Sequence, residues 1–289
     1  MDIFLIIFGF IILIIGGNLL VKGSVALAVK LKVSMIVIGL TVVSFATSAP
    51  ELMVSVYAAL SGLSDMALGN VIGSNITNIS LVLGVTAFVF PLSFEHRLYR
   101  FDIPVMLFAS LLFAVFLHTE SNICFWEGFI FVLLLLILMI YLISQSRKID
   151  ANEQEGSNHE QLSIFKLFIC IVAGGISLYY GSRFLVDGAT GLASTIGVSD
   201  RVISVSIIAF GTSIPELAAS IIAAFNKNKG LSIGNLIGSN IFNIFAVLGI
   251  TSMIKPINVV DQSFMSNDIW WMFGLSLLLY PIMFFFKKG

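Results

Sequence analysis

Charge is scarce in this sequence. Asp, Glu, Lys and Arg make up 11% of its 289 residues, against 58% hydrophobic. A chain so composed cannot cover itself with a water-soluble surface, and its mean hydropathy of +1.05 places it among polytopic membrane proteins. Cysteine is nearly absent. Cys124 and Cys170 sit in unrelated apolar settings without metal-ligand spacing, which argues against a disulfide framework or a thiolate site. The three histidines, His96, His118 and His159, are expected in loops, so no proton relay is indicated. There is neither a nucleophile-base pair nor a phosphate-binding loop. An enzyme, a cofactor and a nucleic-acid partner are therefore not expected.

What is present is a series of long apolar runs. Most reach the roughly 20 residues that a helix needs to cross about 30 Å of hydrocarbon, so the expected class is all-α, with the lipid bilayer as surroundings. Five spans are expected before the chain's strongly polar stretch, at about 3–28, 34–60, 66–90, 101–118 and 123–144. Four follow it, at about 164–190, 199–225, 231–254 and 267–286. The N-terminal run lacks a basic flank and has a counterpart in mid-chain, so it reads as a first span rather than a cleaved signal.

The chain repeats itself. "SFATSAPELMVS" (Ser44 to Ser55) and "AFGTSIPELAAS" (Ala209 to Ser220) align at an offset of 165, and the same offset brings Ser74 onto Ser239 and Asn78 onto Asn243. "GNVIGSNITNISLVLG" from Gly69 and "GNLIGSNIFNIFAVLG" from Gly234 agree at 12 of 16 positions. The expected organisation is a first repeat over 1–145, a polar cytoplasmic linker over 146–162 and a second repeat over 163–289. At this offset Gly289 meets Cys124, so nothing matches the fifth span and a tenth helix is expected to be missing from this chain.

An odd number of spans in the first half inverts the second. Lys30, Lys32, Arg97, Arg100, Arg147, Lys148, Lys166, Lys227, Lys229, Lys287 and Lys288 fall on one side of that count, against Arg201 and Lys255 on the other. The positive-inside rule then puts the N-terminus out and the linker and C-terminus in. Two inverted repeats of about five helices are an arrangement of secondary transporters, with a substrate site near the membrane midplane.

The candidate site follows from the polar residues inside these runs. Pro50 and Pro215 cannot donate to the carbonyls of Ala46 and Gly211, so each helix is expected to open around Thr-Ser-x-Pro. Thr47 and Glu51 are spaced i, i+4 with Ser48 on their flank; Thr212 and Glu216, Ser74 and Asn78, and Ser239 and Asn243 repeat the spacing. Hydroxyl, amide, carbonyl and carboxylate oxygens suit Na⁺ or Ca²⁺ and argue against zinc or copper. A carboxylate at mid-bilayer costs several kcal/mol unless it is paired or bound to a cation, which makes Glu51 and Glu216 functional candidates. Two carboxylates match one Ca²⁺, or two Na⁺ with a third held by neutral oxygens, so the ions would compete. Asn70, Asn75, Asn235 and Asn240 read as caps or cross-helix contacts, and Arg183 with Asp187 as a local i, i+4 pair.

At these residues the sequence resembles the Ca²⁺/cation antiporter superfamily, and within it the prokaryotic sodium/calcium exchangers. "ATSAPE" with "GNVIGSN" and "GTSIPE" with "GNLIGSN" stand where the family carries its two α-repeats. The resemblance implies ten helices in two inverted halves and four cation sites. It implies a ligand set of Thr47, Ser48, Glu51, Ser74, Asn78, Thr212, Ser213, Glu216, Ser239 and Asn243, with backbone carbonyls at Ser44 and Ala209. It further implies electrogenic exchange of three Na⁺ for one Ca²⁺ by alternating access, with the first and sixth helices sliding across the core. Relatives often carry Asp where this chain has Asn243, which leaves two formal charges in the set.

The expected function is therefore Na⁺/Ca²⁺ antiport in a prokaryotic plasma membrane, carried out by a monomer with Na⁺ and Ca²⁺ as substrates. A H⁺-coupled Ca²⁺ antiporter, in which the glutamates would carry protons, is the alternative reading. A cation channel using the same oxygens is a more distant one.

Overall fold

The structure is a computed structural model describing residues 1–90, 97–149, 162–198 and 209–286. Its helices are α1 (Asp2–Leu31), α2 (Met35–Ile38), α3 (Ser44–Leu60), α4 (Ser64–Thr77), α5 (Leu83–Val89), α6 (Ile103–Glu120), α7 (Phe125–Ile149), α8 (Ile164–Thr195), α9 (Ala209–Gly211), α10 (Ile214–Phe225), α11 (Lys229–Phe242), α12 (Gly249–Ile254) and α13 (Ile269–Phe286). Among the described residues, five π-helical segments interrupt or begin them, at Gly39–Val43, Asn78–Val82, Leu98–Asp102, Asn243–Leu248 and Phe264–Asp268. Seven helices among the described residues are long and apolar enough to cross a membrane. The protein is an all-α polytopic membrane protein, as its composition predicts.

Each expected span has a helical counterpart, although the seventh is described only from Ala209. Residues 199–208, most of the expected linker (150–161), His96, His159, Arg201, Lys287 and Lys288 lie outside the described residues. His118 is not in a loop. It occupies the last turn of α6, where its Nδ1 lies 2.8 Å from the Ala114 carbonyl.

Local chemistry sets the helix ends. Ser34 and Ser163 cap α2 and α8 by accepting from the backbone N–H groups of Val37 and Lys166, two of the donors that a helix start leaves over. Gly62, at φ 80°, supplies the left-handed residue that lets Gly62 and Leu63 turn back onto the Ala59 and Ala58 carbonyls and end α3.

The chain forms two compact units. One comprises Met1–Thr47 with Leu142–Asn235, the other Ser48–Tyr141 with Leu236–Gly289. These do not coincide with the sequence halves 1–145 and 163–289, because each unit draws on both halves; the divisions fall inside α3, α7 and α11.

The first unit is built on α1 and α8, which run antiparallel. Gly9, Gly16 and Gly23 recur every seven residues on α1, as do Gly174, Gly181 and Gly188 on α8. A Cβ at Gly16 would stand 3.0 Å from the Gly174 carbonyl, one at Gly181 2.9 Å from the Leu13 nitrogen, and one at Gly188 2.6 Å from the Asp2 carbonyl. Backbone therefore lies on backbone along this pair, the close approach that small residues permit between membrane helices. Gly39 and Gly234 make a second contact of the same kind, a Cβ on either standing within 3.0 Å of the other's Cα.

The second unit packs α7 against α12 through Gly128 and Gly249, beside an aromatic core of Phe113, Phe131 and Phe245. The rings of Phe131 and Phe245 are centred 5.8 Å apart. Outside the spans, Asn122 and Ile123 pair antiparallel with Asn258 and Ile257. The Asp65 carboxylate accepts from the backbone N–H groups of Val260 and Asp261. Asp261 in turn accepts from the Ser263 N–H, and this hydrogen bond holds its carboxyl below the ordinary range.

Candidate cation site

The two copies of Thr-Ser-x-Pro-Glu have different backbones. In the first, α3 is continuous from Ser44 to Leu60 with Pro50 inside it, so the expected opening at Thr47–Pro50 is not found. The irregularity lies upstream, as the π turn Gly39–Val43. Ser44 accounts for it: its Oγ is 2.8 Å from the Gly39 carbonyl, five residues back, and 3.1 Å from the Asn235 carbonyl. In the second copy the expected break is present. Helix α9 ends at Gly211, Thr212 and Ser213 form a turn, and α10 begins with Ile214 and Pro215. There Ala209 takes the place of Ser44 and brings no hydroxyl.

Within the first unit, Asn235 organises the polar residues. Its Oδ1 accepts from Thr47 Oγ1 at 3.2 Å, and its Nδ2 donates to Ser220 Oγ at 3.0 Å and to the Glu216 carbonyl at 3.4 Å. Ser232 Oγ donates to the Ser220 carbonyl at 2.8 Å. Thr47, Ser213 and Glu216 are fully buried, and Thr212 is half-buried in the turn. Ser213 Oγ has no hydrogen-bond partner among the described residues.

Within the second unit, Asn70 plays the matching part. Its Nδ2 donates to the Glu51 carbonyl at 3.1 Å and to Ser55 Oγ at 2.9 Å. The offset that relates Asn70 to Asn235 also relates Glu51 to Glu216 and Ser55 to Ser220, so one clamp is built twice. Ser48, Glu51, Ser74, Asn78, Ser239 and Asn243 are all buried, with Glu51 and Glu216 at 0% exposure. In both copies of the glycine-asparagine motif a π segment starts at the candidate ligand, Asn78 or Asn243. Insertions of this kind recur at functional sites because they displace backbone groups from the regular helical ladder.

The four asparagines expected as caps or cross-helix contacts are unequal. Asn70 and Asn235 clamp the carbonyl of the motif glutamate, a cross-helix contact as expected. Asn75 joins Asn243, whereas Asn240 donates, among the described residues, within its own helix to Leu236. Ser55 and Ser220 were not singled out by motif reading, although both align at the repeat offset. Arg183 and Asp187 are an exposed pair at 4.0 Å.

Buried carboxylates and amides on duplicated motifs agree with what sequence comparison finds. The family model described as sodium/calcium exchanger protein matches residues 1–144 and 166–288. The chain belongs to this family. It is 30% identical to the sodium/calcium exchanger MaX1 of Methanosarcina acetivorans, over 95% of this chain and 89% of that protein. It is 32% identical to the inner membrane protein YrbG of Escherichia coli, over 91% of this chain and 83% of that protein. Among solved structures, the sodium-calcium exchanger NCX_Mj soaked with 2.5 mM Na⁺ and 0.1 mM Ca²⁺ matches with a TM-score of 0.81 and 30% identity, covering 98% of this chain and 90% of that one. Membership makes this exchanger-family chain a multi-pass cation antiporter with Ca²⁺ among its ions, and its exchanger relatives are transporters.

Proposed function

We propose that the protein is an electrogenic Na⁺/Ca²⁺ exchanger, moving three Na⁺ against one Ca²⁺ by alternating access, and that it extrudes Ca²⁺ across a prokaryotic plasma membrane. The observation that carries this reading is the pair of fully buried glutamates, Glu51 and Glu216, each on a copy of the same motif and each with its own carbonyl clamped by an asparagine. Burial at membrane depth makes such a carboxylate expensive unless it is paired or bound to a cation, and a duplicated pair of them suits a cation path. The donors are Thr47, Ser48, Glu51, Ser74, Asn78, Thr212, Ser213, Glu216, Ser239 and Asn243, with the Ser44 and Ala209 carbonyls. This is a hard-oxygen set with two formal charges, so one Ca²⁺ or two Na⁺ neutralise it and a third Na⁺ rests on neutral oxygens. The protein works as a monomer with its N-terminus out and C-terminus in, arranged as two inverted repeats over 1–145 and 163–289; the bias of Lys and Arg supports that orientation.

The test is transport. Proteoliposomes loaded with Na⁺ and diluted into Na⁺-free buffer at fixed pH should take up radiolabelled Ca²⁺, and Glu51→Gln and Glu216→Gln should each lower uptake by about 100-fold or more, since each removes a charge the ion needs. Uptake driven by a pH gradient and indifferent to Na⁺ would replace this reading with proton coupling. Single-channel currents would replace it with a channel.

A further inference from the structure

An amide side chain has one accepting end and one donating end, and the wrong end turned toward a cation repels it. Asn243 is fully buried at the start of its π segment. Its Nδ2 donates to Asn75 Oδ1 at 3.3 Å, and its own Oδ1 is buried with no hydrogen-bond partner among the described residues. A buried carbonyl oxygen left so has lost its water without gaining a partner, a cost that a cation would relieve. Asn75, 1% exposed, is itself held by the bond from its Nδ2 to Met272 Sδ at 3.5 Å. A thioether accepts but cannot donate, so the chain Met272, Asn75, Asn243 can run in one direction only. It ends with Asn243 Oδ1 as the outward group.

The repeat-related pair has no such chain. Asn240, the counterpart of Asn75, donates to the Leu236 carbonyl of its own helix at 2.8 Å, and neither amide atom of Asn78, the counterpart of Asn243, has a hydrogen-bond partner among the described residues. One of the two candidate asparagine ligands is therefore preset as an acceptor and the other is not.

From this geometry we infer that Asn75 is a positioning residue: it fixes the amide of Asn243 so that Oδ1 is presented to the cation. The inference rests on the proposed function, in which Asn243 is a ligand. It also bears on the neutral residue at 243. A carboxylate there would meet Asn75 Oδ1 until the Asn75 amide turned over and surrendered its bond to Met272.

The experiment is a double-mutant cycle in proteoliposomes, with Ca²⁺ half-saturation and maximal rate of Na⁺-dependent uptake measured separately, and equilibrium binding of radiolabelled Ca²⁺ alone to the detergent-solubilised protein as a second readout. Asn75→Ala should raise half-saturation and the Ca²⁺ dissociation constant about tenfold, the scale of one lost hydrogen bond, with the maximal rate changed by less than about twofold. The same substitution should have no further effect in an Asn243→Ala background. Asn240→Ala should stay within about twofold of wild type. Met272→Leu keeps the volume and removes the acceptor, so it should raise half-saturation about threefold, again only when Asn243 is present, and it decides the matter if Asn75→Ala does not fold. Equal effects of Asn75→Ala with and without Asn243, or no effect on half-saturation, would overturn the inference and leave the exchanger reading standing. If wild type shows no Na⁺-dependent uptake, or Asn243→Ala binds Ca²⁺ normally, the ligand reading falls and takes the inference with it.

Discussion

The same six-residue motif, Thr-Ser-x-Pro-Glu-Leu, is folded in two ways in one chain. From Thr47 it runs through an unbroken helix, with the irregularity displaced to Gly39–Val43; from Thr212 it sits across a turn, and Pro215 occupies the first turn of a new helix. Both copies bring a glutamate to zero exposure with its carbonyl held by the asparagine of the following motif. The burial of the acid is thus independent of how the backbone copes with proline. What decides the backbone is a neighbour: Ser44 bridges the Gly39 and Asn235 carbonyls, and Ala209 has no hydroxyl to offer.

The largest difference between the two copies is expected at the clamps. Asn235 has both ends of its amide engaged by Thr47, Ser220 and Glu216, while its counterpart Asn70 bonds Glu51 and Ser55. Asn235→Ala should therefore cost about 3 kcal/mol of stability and Asn70→Ala about 1–2 kcal/mol, measured by thermal unfolding in detergent. Equal losses would mean that the Thr47 contact contributes nothing.

A second asymmetry concerns the glycines that close the repeated motif. A Cβ on Gly249 would stand 2.9 Å from Val132 and 3.0 Å from the Gly128 carbonyl, but one on the equivalent Gly84 meets nothing within 4 Å. Gly249→Ala should lose about 1–3 kcal/mol by overpacking, and Gly84→Ala should be neutral or slightly stabilising in the same assay.

The two prolines differ in their place in the helix, and the smallest change is expected there. Pro50→Ala restores an N–H within reach of the Ala46 carbonyl four residues back and should lower the Ca²⁺ uptake rate about tenfold by stiffening the turn that carries Thr47 and Glu51. Pro215→Ala stands in a first turn, where an N–H has no intrahelical acceptor, and should change the rate by less than about threefold.

These contrasts also mark what the sequence could show. Apolar length located the spans, because the thickness of hydrocarbon imposes it, and the duplicated Thr-Ser-x-Pro-Glu and Gly-Asn motifs pointed to Glu51, Glu216, Asn78 and Asn243, all of which are buried. The opening expected at Pro50 was misplaced because proline says only that one bond is missing. Where the helix relaxes depends on Ser44 and Asn235, 191 residues apart. Asn75 could not be told from Asn240 by spacing, since the two occupy equivalent positions and differ only in what faces them. The partition into units was equally hidden, because contacts do not follow the arithmetic of the repeat.

The glycines of α1 and α8 have a mechanical consequence. Seven residues of helix advance about 10.5 Å, so sliding one helix along the other by any smaller step drives a side chain into its neighbour's backbone before the next pair of glycines can mesh. The two helices are toothed like a rack with a coarse pitch. Contact of backbone on backbone along that rack passes a push on either helix directly to the other.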